Sequence, residues 1–365
     1  MAPIWSQHPF KALLTTLVLL SSPIYTVALS ILYLPRAFRP DPHWNFRTAL
    51  GNKILRIFYE HATRVRLEPK YYLKPGNLKE RFILVRPGPA DIYTGILEHP
   101  TIKPAAVGAI WFPKCPASTE CNNTKVVLHF QGGAFVTATD PKLTGRFPST
   151  LFESKMGAVT FYAQYRVSRT EDTRFPAGLQ DLVTFYRYIL DQGFDPKNII
   201  ISGDSAGGNL VIALLRYIEA SNGILPNPHG AMAWSPWVDV GLSAVEGYKK
   251  SSCNRTDFVP PGLLRWGVAA YRSSGSSKND VEPYISPAHH AFSTQTPLFI
   301  HAGTVEILYE EINGFAEAMT AVSGNRVRYF ETPHAPHDLI LVGKFFGLQM
   351  EAEDAVESAH EFFGS

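Results

Sequence analysis

The period of the apolar positions changes several times along the chain. From Ala12 to Leu34 no charged residue interrupts a run long enough to cross a bilayer as a helix, with Lys11 and Arg36 at its ends and Pro23 inside it. Phe46, Leu50, Ile54, Leu55 and Phe58 then recur at near-helical spacing, with Arg47, Lys53, Arg56 and Glu60 on the other faces. That is an amphipathic helix, suited either to packing on a domain or to a lid beside the bilayer. Proline and glycine become frequent from Pro75 to Pro116, which reads as irregular chain with short edge strands.

Beyond this point strand patterns and helix patterns alternate. Apolar runs at 125–130, 157–162, 199–201, 231–234, 297–301 and 326–331 read as strands. Helical spacing links Leu182, Val183, Tyr186, Ile189 and Leu190, then Leu210, Val211, Leu214, Leu215 and Ile218, and finally Phe345, Leu348, Ala352, Val356, Ala359 and Phe362. Such alternation predicts a mostly parallel sheet with helices on both faces, and a site at the carboxyl ends of the strands. Residues 241–291 are rich in Ser, Gly and Pro but hold Leu263, Leu264, Trp266 and Tyr271. They read as an insertion, either a cap over the site or apolar packing on the sheet.

One strand-to-helix junction carries chemistry. Gly203-Asp204-Ser205-Ala206-Gly207 lies between the run at 199–201 and the helix that begins near Leu210. Small residues two positions either side of Ser205 let the backbone turn sharply and lift the hydroxyl above the sheet, as in a nucleophile elbow; an ordinary glycine turn is the plain alternative. Gln131-Gly132-Gly133-Ala134 forms a second glycine turn at a strand end. Gly132 and Gly133, with Ala206 after the serine, are the expected backbone donors to an oxyanion, where one donor is typically worth ~3 kcal/mol.

A serine hydroxyl needs a base, and the base needs a carboxylate to hold its tautomer. On an elbow of this kind the partners follow in the order serine, acid, histidine, which sets aside His129. His337, after the last strand, is preferred to His334, which stands nearer the strand end with prolines at 333 and 336. Glu306 follows the strand at 297–301 and is the expected acid, whereas Glu310 and Glu311 fall in the next helix. Asp204 points away from the nucleophile by alternation and is assigned a structural role.

Composition narrows the setting. With 365 residues, 45% of them hydrophobic and 18% charged, the chain can bury a large core, and disorder is excluded. A net charge of +2 without long basic runs gives no reason to expect nucleic acid. Cys115, Cys121 and Cys253 lack metal-ligand spacing; Cys115 and Cys121 suit either a small disulfide loop or two free thiols. For Ala12 to Leu34 the competitors to an anchor are a cleaved signal peptide and an interfacial helix, and the continuation of apolar residues past Ala28 and Ser30 favours the anchor. Arg36, Arg39 and Arg47 argue for a cytosolic domain by the positive-inside rule, while the sequons at Asn122 and Asn254, with the cysteine pair, argue for a lumenal one. The expectation is a single-pass protein of the endoplasmic reticulum, the lumenal side being preferred.

From about residue 100 onward the chain resembles the hormone-sensitive-lipase group of α/β-hydrolases, which includes arylacetamide deacetylases, steryl acetyl hydrolases and carboxylesterases. The resemblance rests on Gln131-Gly132-Gly133-Ala134, Tyr165-Arg166, Phe175-Pro176-Ala177, Gly203-Asp204-Ser205-Ala206-Gly207-Gly208, Ser235-Pro236, Ser286-Pro287, Glu306 and His337. It implies an α/β-hydrolase fold with a cap, a Ser205–Glu306–His337 triad, an oxyanion hole from Gly132, Gly133 and Ala206, and ester hydrolysis without cofactor or metal. Gln131 replaces the family's histidine, and Glu306 stands where aspartate is usual. The expected division is a membrane anchor at 1–35, a juxtamembrane and cap segment at 36–102 and a catalytic domain at 103–365 with an insertion at about 241–291. The expected substrate is a short acyl ester of an apolar alcohol, lipid, sterol or specialised metabolite. An amide, a lactone, acyl transfer, or a non-catalytic binding protein or membrane scaffold on the same fold are the alternatives, and the oligomeric state is left open.

Overall fold

The computed structural model describes residues 3–221, 223–272 and 278–364. One eight-stranded sheet runs through it in the order β1-β2-β4-β3-β5-β6-β7-β8. The strands are β1 (Phe82–Val85), β2 (Val107–Phe112), β3 (Val126–Phe130), β4 (Val159–Gln164), β5 (Ile199–Asp204), β6 (Gly230–Trp234), β7 (Leu298–Gly303) and β8 (Val327–Thr332). β2 lies antiparallel to β1 and β4, and all pairings from β4 onward are parallel.

The two faces follow from strand alternation. Val127, Ile200, Met232 and Phe299 point to the side covered by the helices Arg146–Met156, Leu339–Phe346 and Gln349–Gly364. Leu128, Ile201, Ala233 and Ile300 point to the side covered by Ala177–Asp191, Ala206–Ala220 and Tyr309–Ala321. Burial on both faces is why these strands read as continuous apolar runs.

Three features differ from the sequence expectation. β2 is buried throughout, not an edge strand, and its apolar run was masked by the prolines at 104 and 113 that bracket it. β1 falls within 36–102 and pairs with β2, so the sheet begins ahead of residue 103. The closing apolar series spans two helices, because Gly347, at φ 75°, ends the first in the left-handed conformation that glycine adopts without strain.

The N-terminal helix α1 (Phe10–Leu32) continues through Pro23 and exposes Leu13, Leu17, Leu20, Ile24, Val27 and Ile31. Its C-terminal end is tied down by a small cluster of Leu29, Tyr33, Trp44 and Ala49. Helix α2 (Phe46–Val65) starts at Asn45, whose side chain accepts from the Thr48 N–H. It is fastened to the insertion by hydrogen bonds from Asn52 to the Thr256 carbonyl and from Arg56 to the carbonyls of Asn254 and Asp257. Thr48 Oγ1 donates to the Phe346 carbonyl on its other side. The amphipathic pattern therefore belongs to a helix bridging the insertion and the C-terminal helices.

Cys115 and Cys121 are free thiols. The Tyr165-Arg166 pair directly follows β4, and the Arg166 side chain and N–H both bond the buried Asp181 carboxylate at 2.8 Å. Removing the carboxylate strands a guanidinium that is largely enclosed. Asp181→Ala is expected to destabilise the fold by about 3 kcal/mol, read as a lower urea midpoint at unchanged slope.

Candidate active site

Ser205 stands between β5 and the helix Ala206–Ala220 with φ 52° and ψ −116°. A non-glycine residue in such a conformation costs of order 1–3 kcal/mol and persists only where its surroundings dictate it. Here the Ser205 N–H donates to the Trp234 carbonyl at 2.8 Å, and the Ser205 carbonyl accepts from Trp237 N–H at 3.0 Å and Asn209 N–H at 3.1 Å. A Cβ on Gly203 would lie 2.4 Å from the Gly207 carbonyl oxygen, and one on Gly207 would lie 2.1 Å from that of Phe130. The small residues are required by close backbone approach.

Glu306, on the turn after β7, is fully buried. One carboxylate oxygen accepts from the Gly303 N–H at 2.9 Å, and the other meets His337 Nδ1 at 2.6 Å. A carboxylate accepts only, so Nδ1 carries the proton and Nε2 is left to take one. Burial pulls the His337 pKa down, but the hydrogen bond and charge of Glu306, with Asp257 and Asp204 behind, outweigh it and the net shift is upward. Glu310 and Glu311 lie on the helix Tyr309–Ala321, away from the cavity lining.

His334 is turned elsewhere. Its Nδ1 pairs with Asp41 at 2.9 Å, its ring stacks on His43 at 3.8 Å, and its carbonyl accepts from Trp44 Nε1. It clamps the segment before α2 to the loop that carries His337.

Asp257, in the insertion, escaped the sequence reading. Its carboxylate accepts from the N–H groups of Ile307 at 2.6 Å and Val259 at 2.8 Å. Its pKa is pushed up to about 6, chiefly by burial, with His337 lowering it and Glu306 raising it. An aspartate inside a Ser- and Pro-rich insertion gave no signal of its own, and only the fold brings it beside Glu306.

The glycine turn after β3 departs from expectation. The Gly132 N–H is committed to Asp204 Oδ2 at 2.7 Å and is not free to meet an oxyanion. Among the described residues the N–H groups of Gly133, Ala134 and Ala206 donate to no protein acceptor. Ala134, at φ 51°, lines the same cavity as Gly133 and was missed because only glycines were weighed there. Asp204 has the structural task assigned to it, and its second oxygen meets His129 Nε2 at 3.1 Å. His129 Nδ1 in turn contacts Ser202 Oγ at 3.0 Å, so this histidine braces the elbow from beneath.

Ser205 and His337 face one cavity with about 30 Å3 open to the centre of a water-sized sphere, room for one or two waters. Phe258, Val259, Leu263, Leu264 and Leu341 form its apolar wall, and Tyr59 of α2 closes one side. The Phe258 ring stacks on Tyr59 and stands edge-on to His337, each 5.7 Å between centroids. The insertion thus supplies wall to the cavity.

Of the sequon asparagines, Asn122 is exposed. Asn254 is half-buried, its amide donating to the Lys249 carbonyl and its oxygen accepting from Arg56.

Comparison with known proteins shows the family. The profile of the alpha/beta hydrolase fold family matches residues 127–341, and the chain belongs to that family. An acetyl-hydrolase of Streptomyces hygroscopicus is 27% identical over 213 residues, 58% of this chain and 67% of that one. Human arylacetamide deacetylase-like 2 is 27% identical over 116 residues, 30% of this chain and 28% of that one. A hormone-sensitive lipase from a metagenome library, solved as a crystal structure, superposes with a TM-score of 0.57 at 26% identity, covering 71% of this chain and 82% of the other. These likenesses support carboxylic ester hydrolysis by an α/β-hydrolase.

The His337–Glu306 pair sets a pH dependence. His337 accepts a proton only when neutral, and its pKa lies above the ordinary 6.5, so covalent modification of Ser205 should rise with pH through a midpoint above 6.5. In Glu306→Gln the largest raising influence is gone, and the midpoint should fall while the rate at pH 8 drops at least tenfold, measured as fluorophosphonate labelling against pH.

Proposed function

We propose that this chain is a serine esterase that removes a short acyl group from an apolar alcohol through an acyl-enzyme on Ser205. The observation that carries the reading is the 2.6 Å contact between His337 and the buried Glu306, in a cavity shared with the serine on its elbow. His337 Nε2 takes the Ser205 proton as the oxygen attacks the ester carbonyl. The N–H groups of Gly133, Ala134 and Ala206 hold the negative charge that develops on the carbonyl oxygen, in the place expected of Gly132, Gly133 and Ala206. His337 returns the proton to the departing alcohol, then activates water to release the acid.

The activity named for the Streptomyces relative favours an acetyl-sized acyl group. The apolar wall from the insertion and α2 suits an apolar alcohol. The exposed apolar side of α1 supports an anchor through Ala12 to Leu34 rather than a buried helix, because 23 residues cover about 35 Å of helix axis. A lumenal domain in the endoplasmic reticulum, modified at Asn122 rather than at the engaged Asn254, completes the reading.

A fluorophosphonate should label the purified protein and not Ser205→Ala, and aryl acetates should turn over at least tenfold faster, in kcat/KM, than octanoates. A folded protein that neither labels nor hydrolyses any ester refutes the esterase reading. Labelling with preference for an amide, a lactone or an acceptor alcohol over water assigns one of the alternative reactions.

Membrane attachment has its own test. Alkaline carbonate should leave the expressed protein in the membrane pellet, and endoglycosidase treatment should sharpen its mobility only while Asn122 is present. Extraction by carbonate, or mobility unaffected by the glycosidase, overturns the corresponding part.

A further inference from the structure

A second buried carboxyl stands at the elbow with no task in the chemistry just described. Asp338 follows His337 directly, is 2% exposed, and has φ 59°. Its N–H donates to Ser235 Oγ at 3.0 Å, and its side chain faces the carboxyl of Asp204. Asp338 Oδ1 has no N–H or hydroxyl donor among the described residues. Among the described residues no lysine or arginine lines the cavity that both carboxyls share with Ser205 and His337, and the base against the pair is the buried His129 on Asp204.

Two carboxylates in contact, both buried, cannot both be ionised without a compensating charge. One proton between them resolves the conflict. Both Asp204 oxygens already accept, one from His129 and one from the Gly132 N–H, so neither is left to carry a proton. The proton therefore sits on Asp338, which donates to Asp204 as a neutral acid. The groups facing the pair agree with this placement. His129 stands behind Asp204 on β3, Glu306 and His337 flank Asp338, and Tyr59 of α2 and Tyr162 of β4 bring phenols. Burial first, and then the charge and hydrogen bond of Asp204, push the Asp338 pKa well above the carboxylate range.

We propose that Asp338 is a positioning residue, a protonated acid that pins the Asp204 carboxylate and through it the Gly132 turn that aims the oxyanion donors. A Cβ on Gly132 would lie 2.4 Å from Asp204 Oδ2 and 2.9 Å from Ser205 Cβ, so carboxylate, turn and nucleophile are packed against one another with no slack. When Asp338 loses its proton, like charges repel across the pair and the turn loses its anchor. The site then fails on the alkaline side for a reason separate from His337, whose neutral form persists there.

The proposal rests on the esterase reading for its kinetic consequence but not for its proton. Infrared difference spectra of the full-length protein, wild type against Asp338→Asn, should show the carbonyl band of a protonated carboxylic acid at pH 7 that the variant lacks. Absence of that band overturns the proposal whether or not the protein hydrolyses any ester. Asparagine accepts the positive φ, and its amide donates to Asp204 at every pH, so it stands in permanently for the protonated acid. With an aryl acetate, wild-type kcat should fall at high pH with KM little changed, and in Asp338→Asn the fall should move up by at least one pH unit or vanish.

Asp338→Gly suits the backbone but removes the donor, and its kcat should be tenfold to a hundredfold lower across the range. An alkaline limb identical in wild type and Asp338→Asn, or full kcat in Asp338→Gly, refutes the positioning role. Fluorophosphonate labelling reports whether each variant has assembled its site. If glycine fails to fold, the asparagine comparison alone decides. If no ester is turned over, the esterase reading fails and the infrared band still judges the acid pair.

Discussion

One buried carboxylate joins the parts of the candidate site that come from distant stretches of chain. Asp204 ends β5, accepts from His129 on β3 and from the Gly132 N–H just beyond β3, and faces Asp338 on the loop after β8. Neighbouring parallel strands bring these positions together, since Phe130 lies opposite Gly203 in the sheet register. Ser205 is the next residue. Its conformation is dictated from one side by the Trp234 and Trp237 backbone and from the other by whatever holds Asp204.

Around this point the protein concentrates buried acidity. Asp204, Asp257, Glu306 and Asp338 are all buried around the His129 and His337 imidazoles, and a buried charge is tolerated only if hydrogen bonds replace its hydration. Asp257 and Glu306 meet that condition largely through backbone N–H groups, which cannot rotate away. In the mechanism proposed above, the net negative surroundings would favour the imidazolium formed when His337 takes the serine proton. The opposite charge, on the oxyanion, falls to backbone dipoles on the other side of Ser205. A field fixed before substrate arrives is the form of stabilisation that costs no reorganisation during reaction.

The alternation of strands and helices, the elbow and the Glu306–His337 pair were legible because each is a local pattern. A β-branched run followed by Gly-x-Ser-x-Gly admits few backbones, and a strand end followed by an acid or a histidine places that residue at the carboxyl edge of a parallel sheet. What escaped depends on contacts that no local pattern encodes. The β2 run is hidden by the prolines that bracket it, and only pairing with β1 and β4 makes it an interior strand. Gly132 and Gly133 are equivalent as sequence, and the Asp204 carboxylate distinguishes them by occupying one N–H. The preference for His337 over His334 needs no such contact; the structure adds that Asp41, from far back in the chain, holds His334.

The same logic places α2 within the catalytic unit rather than beside it. Tyr59 reaches the cavity, Phe258 stacks on it, and the His337 ring packs against Phe258, so a continuous aromatic contact runs from α2 to the base. Arg56 meanwhile holds the carbonyl of Asp257, whose carboxylate fixes the backbone just after Glu306. A displacement of α2 would reach both partners of the imidazole through rigid groups, one by packing and one by hydrogen bonds. Because the cluster of Leu29, Tyr33, Trp44 and Ala49 fastens the end of α1 to the start of α2, the orientation of the apolar helix constrains the wall of the cavity. Seating α1 in a bilayer would hold α2 near the membrane surface and set the cavity's α2 wall on the side from which an apolar ester would enter.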